Sequence, residues 1–271
     1  DDDSPGLTWT PGSAADSNKI FTFSVWTKSG NFTGYEKNIL TAGSSEQFYY
    51  GENSDEEPVA QLIAGGTITA DRSMRDPSAW NHMVLRMDTT DGTAGDRFRM
   101  YQNGVEITAF RVDTNPSLNA TFTINASGTE QRIGRRSDSN RYFDGYIAEV
   151  IMLDGVSAGP DSFGESDSAG NWVPIDPSSL TFGANGYWLD FAVAPGTSNG
   201  AGTDVSGEGN HFSESGLAAN DKVTDSPTDD ADNDVGNYPT LNPLLPYTSV
   251  TLSDGNLKYV AGGGGGNFKA L

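Results

Sequence analysis

Along residues 20–27 apolar and polar side chains alternate, with Phe21, Phe23 and Val25 on one face and Thr22, Ser24 and Trp26 on the other. A period of two marks a β-strand with one face in a core. Residues 38–43, 47–50 and 59–64 read as further strands with turns rich in Gly, Ser and Glu between them, and the meander continues through 80–87. In 97–108 the pair Asn103 and Gly104 separates two β-rich runs, which predicts a type I′ hairpin with Phe98 and Met100 pointing inward. Residues 121–124 and 131–135 predict short strands. The run 142–153 predicts a longer one that is apolar on both faces and so belongs inside a layered sandwich.

Beyond Asp154 the pattern loosens. Residues 157–165 suit a short helical turn and 186–193 a strand able to add to the sandwich edge, while 197–209 and 224–237 have the composition of exposed loops. Gly262 to Gly266 form a glycine run expected to act as a hinge or linker. No period of 20 to 50 residues repeats, which disfavours a solenoid or propeller. The reading is an all-β, antiparallel β-sandwich over 1–155. A loop-rich C-terminal extension over 156–246 packs on or completes it, and 247–271 is a Gly-rich linker or the start of a following segment.

Composition sharpens this in three ways. With 35% hydrophobic residues, 33 Gly and 13 Pro among 271, the chain has the many turns that short strands require. Its net charge of -21 repels phosphate backbones and anionic membranes, arguing against nucleic acid as a partner. The acidity is uneven: 156–271 carry 15 Asp and Glu against three Lys, and 1–155 carry 22 against 13 Lys and Arg. There is no Cys, so stability must come from packing, and no run approaches the roughly 20 apolar residues of a membrane span. The chain opens on Asp1 without a charged-then-apolar signal pattern and is read as a segment of a longer or processed protein.

Five motifs in order carry a family resemblance: an early strand at 7–10, the run from Phe21 to Trp26, Trp80 with His82 two residues on, Tyr101 with Asn103 and Gly104, and Phe143, Gly145, Ile147, Glu149 and Val150. Together they resemble the laminin-G-like branch of the concanavalin-A-like jelly rolls. A second ordered set runs from Phe163, Gly164 and Glu165 through Trp172, residues 180–183, residues 187–191 and residues 204–210 to residues 240–244. It is similar to a block that follows laminin-G-like modules in structural, tail-fibre-like proteins of marine tailed phages; the acidic stretch 229–234 departs from it. The resemblance implies a phage virion protein, a tail fibre, spike or capsid decoration, on the capsid or tail surface. Other virion proteins and a host-surface glycan are the implied partners, and a homo-oligomer, a trimer by analogy, is the implied assembly. A free or cell-surface calcium-dependent lectin is the alternative, and a glycoside hydrolase a third.

Glycoside hydrolysis needs two carboxylates about 5 to 9.5 Å apart. Glu149 has no partner at the glucanase-like spacing and is expected to be a structural carboxylate sharing a face with Ile147 and Ile151, bonded to a loop or to Arg135 or Arg136. His82 and His211 are the only histidines, too few for a His-rich zinc site, and neither lies near a nucleophile elbow, so the chain is expected not to be an enzyme. Hard oxygen ligands are abundant, and laminin-G-like domains often bind calcium at a sandwich rim. Asp88, Asp91 and Asp96 in one loop and Asp204 and Asn210 in another are therefore calcium candidates, with ordinary Asx turns as the alternative. Sugar binding calls for exposed aromatics that stack on sugar faces; Tyr35, Tyr49, Tyr50 and Tyr142 are the candidates, with core packing or subunit contact as the other role.

Overall fold

The computed structural model describes residues 4–30, 36–44, 46–51, 57–61, 66–74, 76–136, 141–229, 235–242, 250–253 and 255–261. The strands are β1 (Gly6–Trp9), β2 (Ile20–Ser29), β3 (Lys37–Ala42), β4 (Glu46–Tyr50), β5 (Pro58–Gln61), β6 (Thr67–Ala70), β7 (Asn81–Asp88), β8 (Phe98–Gln102) and β9 (Val105–Glu106). They continue as β10 (Phe110–Asp113), β11 (Gln131–Ile133), β12 (Gly145–Asp154), β13 (Gly164–Ser166), β14 (Trp172–Pro174), β15 (Tyr187–Leu189), β16 (Ser213–Ser215), β17 (Val250–Ser253) and β18 (Lys258–Ala261). An eight-stranded sheet in the order β10-β6-β5-β4-β3-β11-β1-β16 faces a six-stranded sheet in the order β15-β12-β2-β7-β8-β9, every pairing antiparallel. This is the two-sheet jelly-roll sandwich that the alternation of apolar residues requires.

The core lies between the sheets. Phe21, Phe23 and Val25 of β2 meet Leu40, Phe48 and Ile133 from the opposite sheet, and Phe98 and Met100 point inward from β8. Asn103 and Gly104 take φ of 48° and 78°, the left-handed pair a type I′ turn needs. Gly104 is also required sterically, because a Cβ there would lie 2.5 Å from the Trp172 ring.

The extension is part of the sandwich. β15 extends the six-stranded sheet beside β12, β16 extends the eight-stranded sheet beside β1, and Tyr187, Leu189 and Phe212 enter the central core, where Tyr187 and Phe212 pack around Trp9. Residues 156–182 cover the outer face of the six-stranded sheet, where Val84, Ile151 and Leu153 pack on Phe163 and Phe182. This third layer explains why β2 is buried on both faces although its sequence alternates. Thr22, Ser24 and Trp26 lie under the cover, and His82 is stacked between Trp26 and Trp172.

Two of the expected strands differ in the structure, and β6, β10, β13, β14 and β16 form where the sequence reading expects none. Residues 121–124 form no strand; the buried carboxylate of Glu46 takes the backbone N–H groups of Thr123 and Ile124 and the Thr123 hydroxyl, supplying the acceptors a neighbouring strand would have offered. The strand expected over 186–193 stops at Leu189, and Phe191 has φ of 55°, turning the chain away from the sheet. Within 247–271, β17 and β18 pair as a hairpin, and Gly262 to Gly266 lie outside the described residues.

Candidate functional site

Strand β12, which with β2 is one of the two longest among the described residues, carries a bulge. Its register against β2 shifts between Ala148 and Ile151, and Glu149 sits in the left-handed region with φ of 48°, the place where such a bulge ordinarily has Gly. Holding a non-glycine residue there costs roughly 1–2 kcal/mol. The bulge breaks the alternation that would have placed Glu149 with Ile147 and Ile151. Its carboxylate accepts from Trp188 Nε1 at 2.7 Å and from Thr228 Oγ1 at 3.3 Å. The expected arginine partners are elsewhere: Arg135 donates to Ser215 and Arg136 to Glu36. Burial, with Asp190 and Asp176 adding negative charge and only partial relief from the two hydrogen bonds, pushes the Glu149 pKa up to about 7.

Glu149 lines a cavity of about 980 Å³ at one end of the sandwich. The sheet ends supply one part of the wall, through Lys37, Trp80 and Tyr146 among others, and Val223, Asp225 and Thr228 of the extension, with Leu252 and Asn256 beyond it, supply another. Its volume lies at the upper end of the range for small-ligand pockets. Tyr142, Tyr146, Trp188 and Phe191 bring partly exposed aromatic surface to it, and Glu149 and Asp190 bring carboxylates.

The extension is fixed to this end by a buried ion pair. Lys28 at the end of β2 and Asp225 both have fully buried side chains and bond directly. The Lys28 ammonium also lies 5.5 Å from the ring centre of Trp80 and 5.0 Å from that of Tyr146, its cross-strand partner. Aromatic faces and a carboxylate together compensate an ammonium removed from water.

Of the three aromatic candidates among the described residues, Tyr142 alone lines this cavity. Tyr50 is a core residue whose hydroxyl bonds Thr27 Oγ1 at 2.6 Å, Tyr49 is half-buried in the same strand, and Tyr35 lies outside the described residues. The alternation of neighbouring residues along β4 does separate Tyr49 from Tyr50, but the exposed position is not at the cavity.

The five calcium candidates do not converge. Asp88 and Asp91 cap turns by accepting from Thr90 and Thr93, and Asp96 pairs with Arg99, all at the far end of β7 from Trp80. Asp204 accepts from Trp188 N, Ser206 N, Ser206 Oγ and Asn210 N, while the Asn210 side chain donates to the carbonyls of Ala184 and Gly186. These oxygens are committed to protein donors that hold the edge strand β15 in place, and they do not fit a shell of six to eight oxygen ligands. Among the described residues no group of three or more His, Asp or Glu is arranged to hold a metal ion.

His82 is likewise structural. Trp172 Nε1 donates to its Nδ1 at 2.9 Å, so Nε2 carries the proton and donates to Ser24 Oγ at 2.8 Å. Burial lowers its pKa to about 3, leaving it neutral. His211 accepts from Asp204 N in its turn.

Sequence reasoning missed Trp188, Asp190, Lys28 and Asp225. The available signals were a lysine inside an apolar strand and a glutamate inside a run apolar on both faces.

Among solved structures, a heptameric SAP-like pentraxin from Limulus polyphemus matches with 15% identity over 56% of this chain and 71% of its own, at a TM-score of 0.41. A putative carbohydrate binding protein from Bacteroides ovatus matches with 15% identity over 78% of this chain and 56% of its own, at 0.48. The enzymatically active domain of tailspike protein 2 from bacteriophage CBA120 matches with 13% identity over 58% of this chain and 25% of its own, at 0.38. No curated protein sequence matches. The family model for the concanavalin A-like lectin/glucanases superfamily matches residues 1–157, more than half of the chain, and with the two-sheet sandwich in place the chain belongs to that superfamily.

Proposed function

We propose that this chain is the glycan-binding module of a tailed-phage virion appendage, a fibre, spike or capsid decoration, and that it meets host-surface glycans at the end cavity. The observation that carries the binding half is the cavity itself, where Tyr142, Tyr146, Trp188 and Phe191 offer stacking surface beside carboxylates able to bond hydroxyls. The virion half rests on the ordered wording of residues 161–244, whose strands and covering layer are integral to the sandwich. In this reading the chain binds without cleaving, its partners are neighbouring virion proteins and a surface glycan, and its copies assemble as a homo-oligomer.

A glycan array probed with the full chain tests binding, with Trp188→Ala as the cavity variant. Binding is expected to fall at least tenfold in the variant, and an array on which wild type and variant give equal signals removes the cavity from the reading. Gold-labelled antibody on purified particles tests location. Label on the capsid or tail is expected, and label only in the particle-free fraction overturns the virion half.

A further inference from the structure

The buried carboxylates of this protein differ in how they are compensated. Asp225 has the Lys28 ammonium, Glu46 accepts from Thr123 N, Thr123 Oγ1 and Ile124 N, and Asp154 accepts from the backbone N–H groups of Asp16, Ser17 and Asn185. Glu149 has one indole N–H and one long hydroxyl contact. Among the described residues no cation bonds it: Arg136 and Arg141 are engaged with Glu36, Lys28 with Asp225 and Lys222 with the carbonyl of Ala192, and Lys37, which also lines the cavity, is not among its partners. The charged groups that act on it from the adjoining segments, Asp190 after β15 and Asp176 after β14, are both negative.

A second residue on the cavity wall has an unsatisfied polar group. Trp80 is only 7% exposed, and its indole N–H has no acceptor among the described residues. The indole nitrogen is itself buried within the wall, so an acceptor must enter the wall to meet it. The same wall already shows how an ammonium is received, because Lys28 lies against the rings of Trp80 and Tyr146 with a carboxylate at its end. Glu149 beside Trp188 repeats the carboxylate and the indole without the cation.

We infer that the end cavity selects glycans bearing a positively charged amino group, with Glu149 as the residue that receives the ammonium. The inference rests on the glycan-binding reading above. An ammonium against Glu149 supplies the missing counter-charge and forms a charge-assisted hydrogen bond in a site shielded from water. Acidic sugars placed against Glu149 and Asp190 are disfavoured.

Binding should release a proton, because the ammonium engages only the ionised carboxyl. With the Glu149 pKa at about 7, roughly three-quarters of the carboxyls are protonated at pH 6.5 and lose that proton on binding. The test is calorimetric titration of the full chain at pH 6.5, in two buffers of different ionisation enthalpy, with a glucosamine trimer and with its fully N-acetylated counterpart. Expected is binding of the amino trimer about tenfold tighter than the acetylated one, with a net proton release equal to what Glu149 loses less what the unprotonated share of the bound sugar amine takes up, and so below about 0.75 per site. Glu149→Gln, its fold verified by circular dichroism, is expected to abolish both the preference and the release. Equal affinity of the two trimers, or a preference and proton release that survive in Glu149→Gln, overturns the selectivity and leaves glycan binding standing. Failure of both trimers also overturns it, and the array then decides the glycan-binding reading separately.

Discussion

Asp225 and Glu149 are carboxylates on the same cavity, and the fold treats them oppositely. Asp225 arrives from the extension and meets an ammonium between two aromatic rings, so its charge is answered inside the protein. Glu149 is held by a strained bulge, has two neutral donors and two acidic neighbours, and sits at a pKa of about 7. The first arrangement holds the extension in place. The second leaves a charge unanswered where a ligand can reach it, which is how binding sites and structural contacts differ when built from the same residue types.

Removing one half of the closed pair has the largest expected effect. Asp225→Ala leaves Lys28 buried without a counter-charge and should cost about 3–5 kcal/mol in urea unfolding. Replacing both together, Lys28→Met with Asp225→Leu, should recover most of that loss. If the double variant is as unstable as the single one, the cost lies in packing rather than in the uncompensated charge.

Glu149 makes the opposite prediction, one of pH. Its folded pKa is raised from 4.5 to about 7, so the native state holds a proton that the unfolded chain releases. The resulting stabilisation is complete below pH 4.5 and is lost as pH rises to about 7, by about 1.4 kcal/mol per pH unit and about 3 kcal/mol in all. Glu149→Gln should therefore gain on the wild type across that window, as read from urea midpoints at each pH. A constant difference between the two curves would mean that the carboxyl does not titrate there.

His82 supplies a slope of the other sign. Its pKa is lowered from 6.5 to about 3, so its stabilisation is present above pH 6.5 and is lost as pH falls toward 3, about 2 kcal/mol of it by pH 5. Subtracting the curve of His82→Gln should isolate it. The smallest effect is expected from Trp188→Phe, which removes one donor from Glu149 for about 1 kcal/mol and raises that carboxyl's pKa further. A fall in its midpoint of titration, followed by carboxyl infrared absorption, would contradict the donor role.

The sandwich was legible where one physical rule acts locally. Phe21, Phe23 and Val25 needed only the alternation of a strand, and Asn103 and Gly104 only the handedness of a two-residue turn. Residues 121–124 have the same alternation but form no ladder, because the deciding partner is Glu46, distant in the chain. The site was less legible for the same reason. Lys28 and Asp225 are 197 positions apart, and the bulge at Glu149 leaves no mark in a run of residues apolar on both sides. Tyr142, a loop aromatic next to a strand, lies on the cavity, whereas Tyr50, with the same composition around it, is core.

Because β15 and β16 close the two sheets beside β12 and β1, chain order sets a timetable for synthesis. Once residue 157 has been made, the family-matching portion is complete, yet β1 and β12 are still edge strands and Val84, Ile151 and Leu153 are uncovered. At ~5–20 residues per second, residue 215 follows after about 3–12 s. Through that interval the nascent chain presents two open edges and an apolar sheet face, the combination that favours pairing with another chain. A message crowded with ribosomes, which holds many such nascent chains close together, is therefore where this protein is most exposed to aggregation.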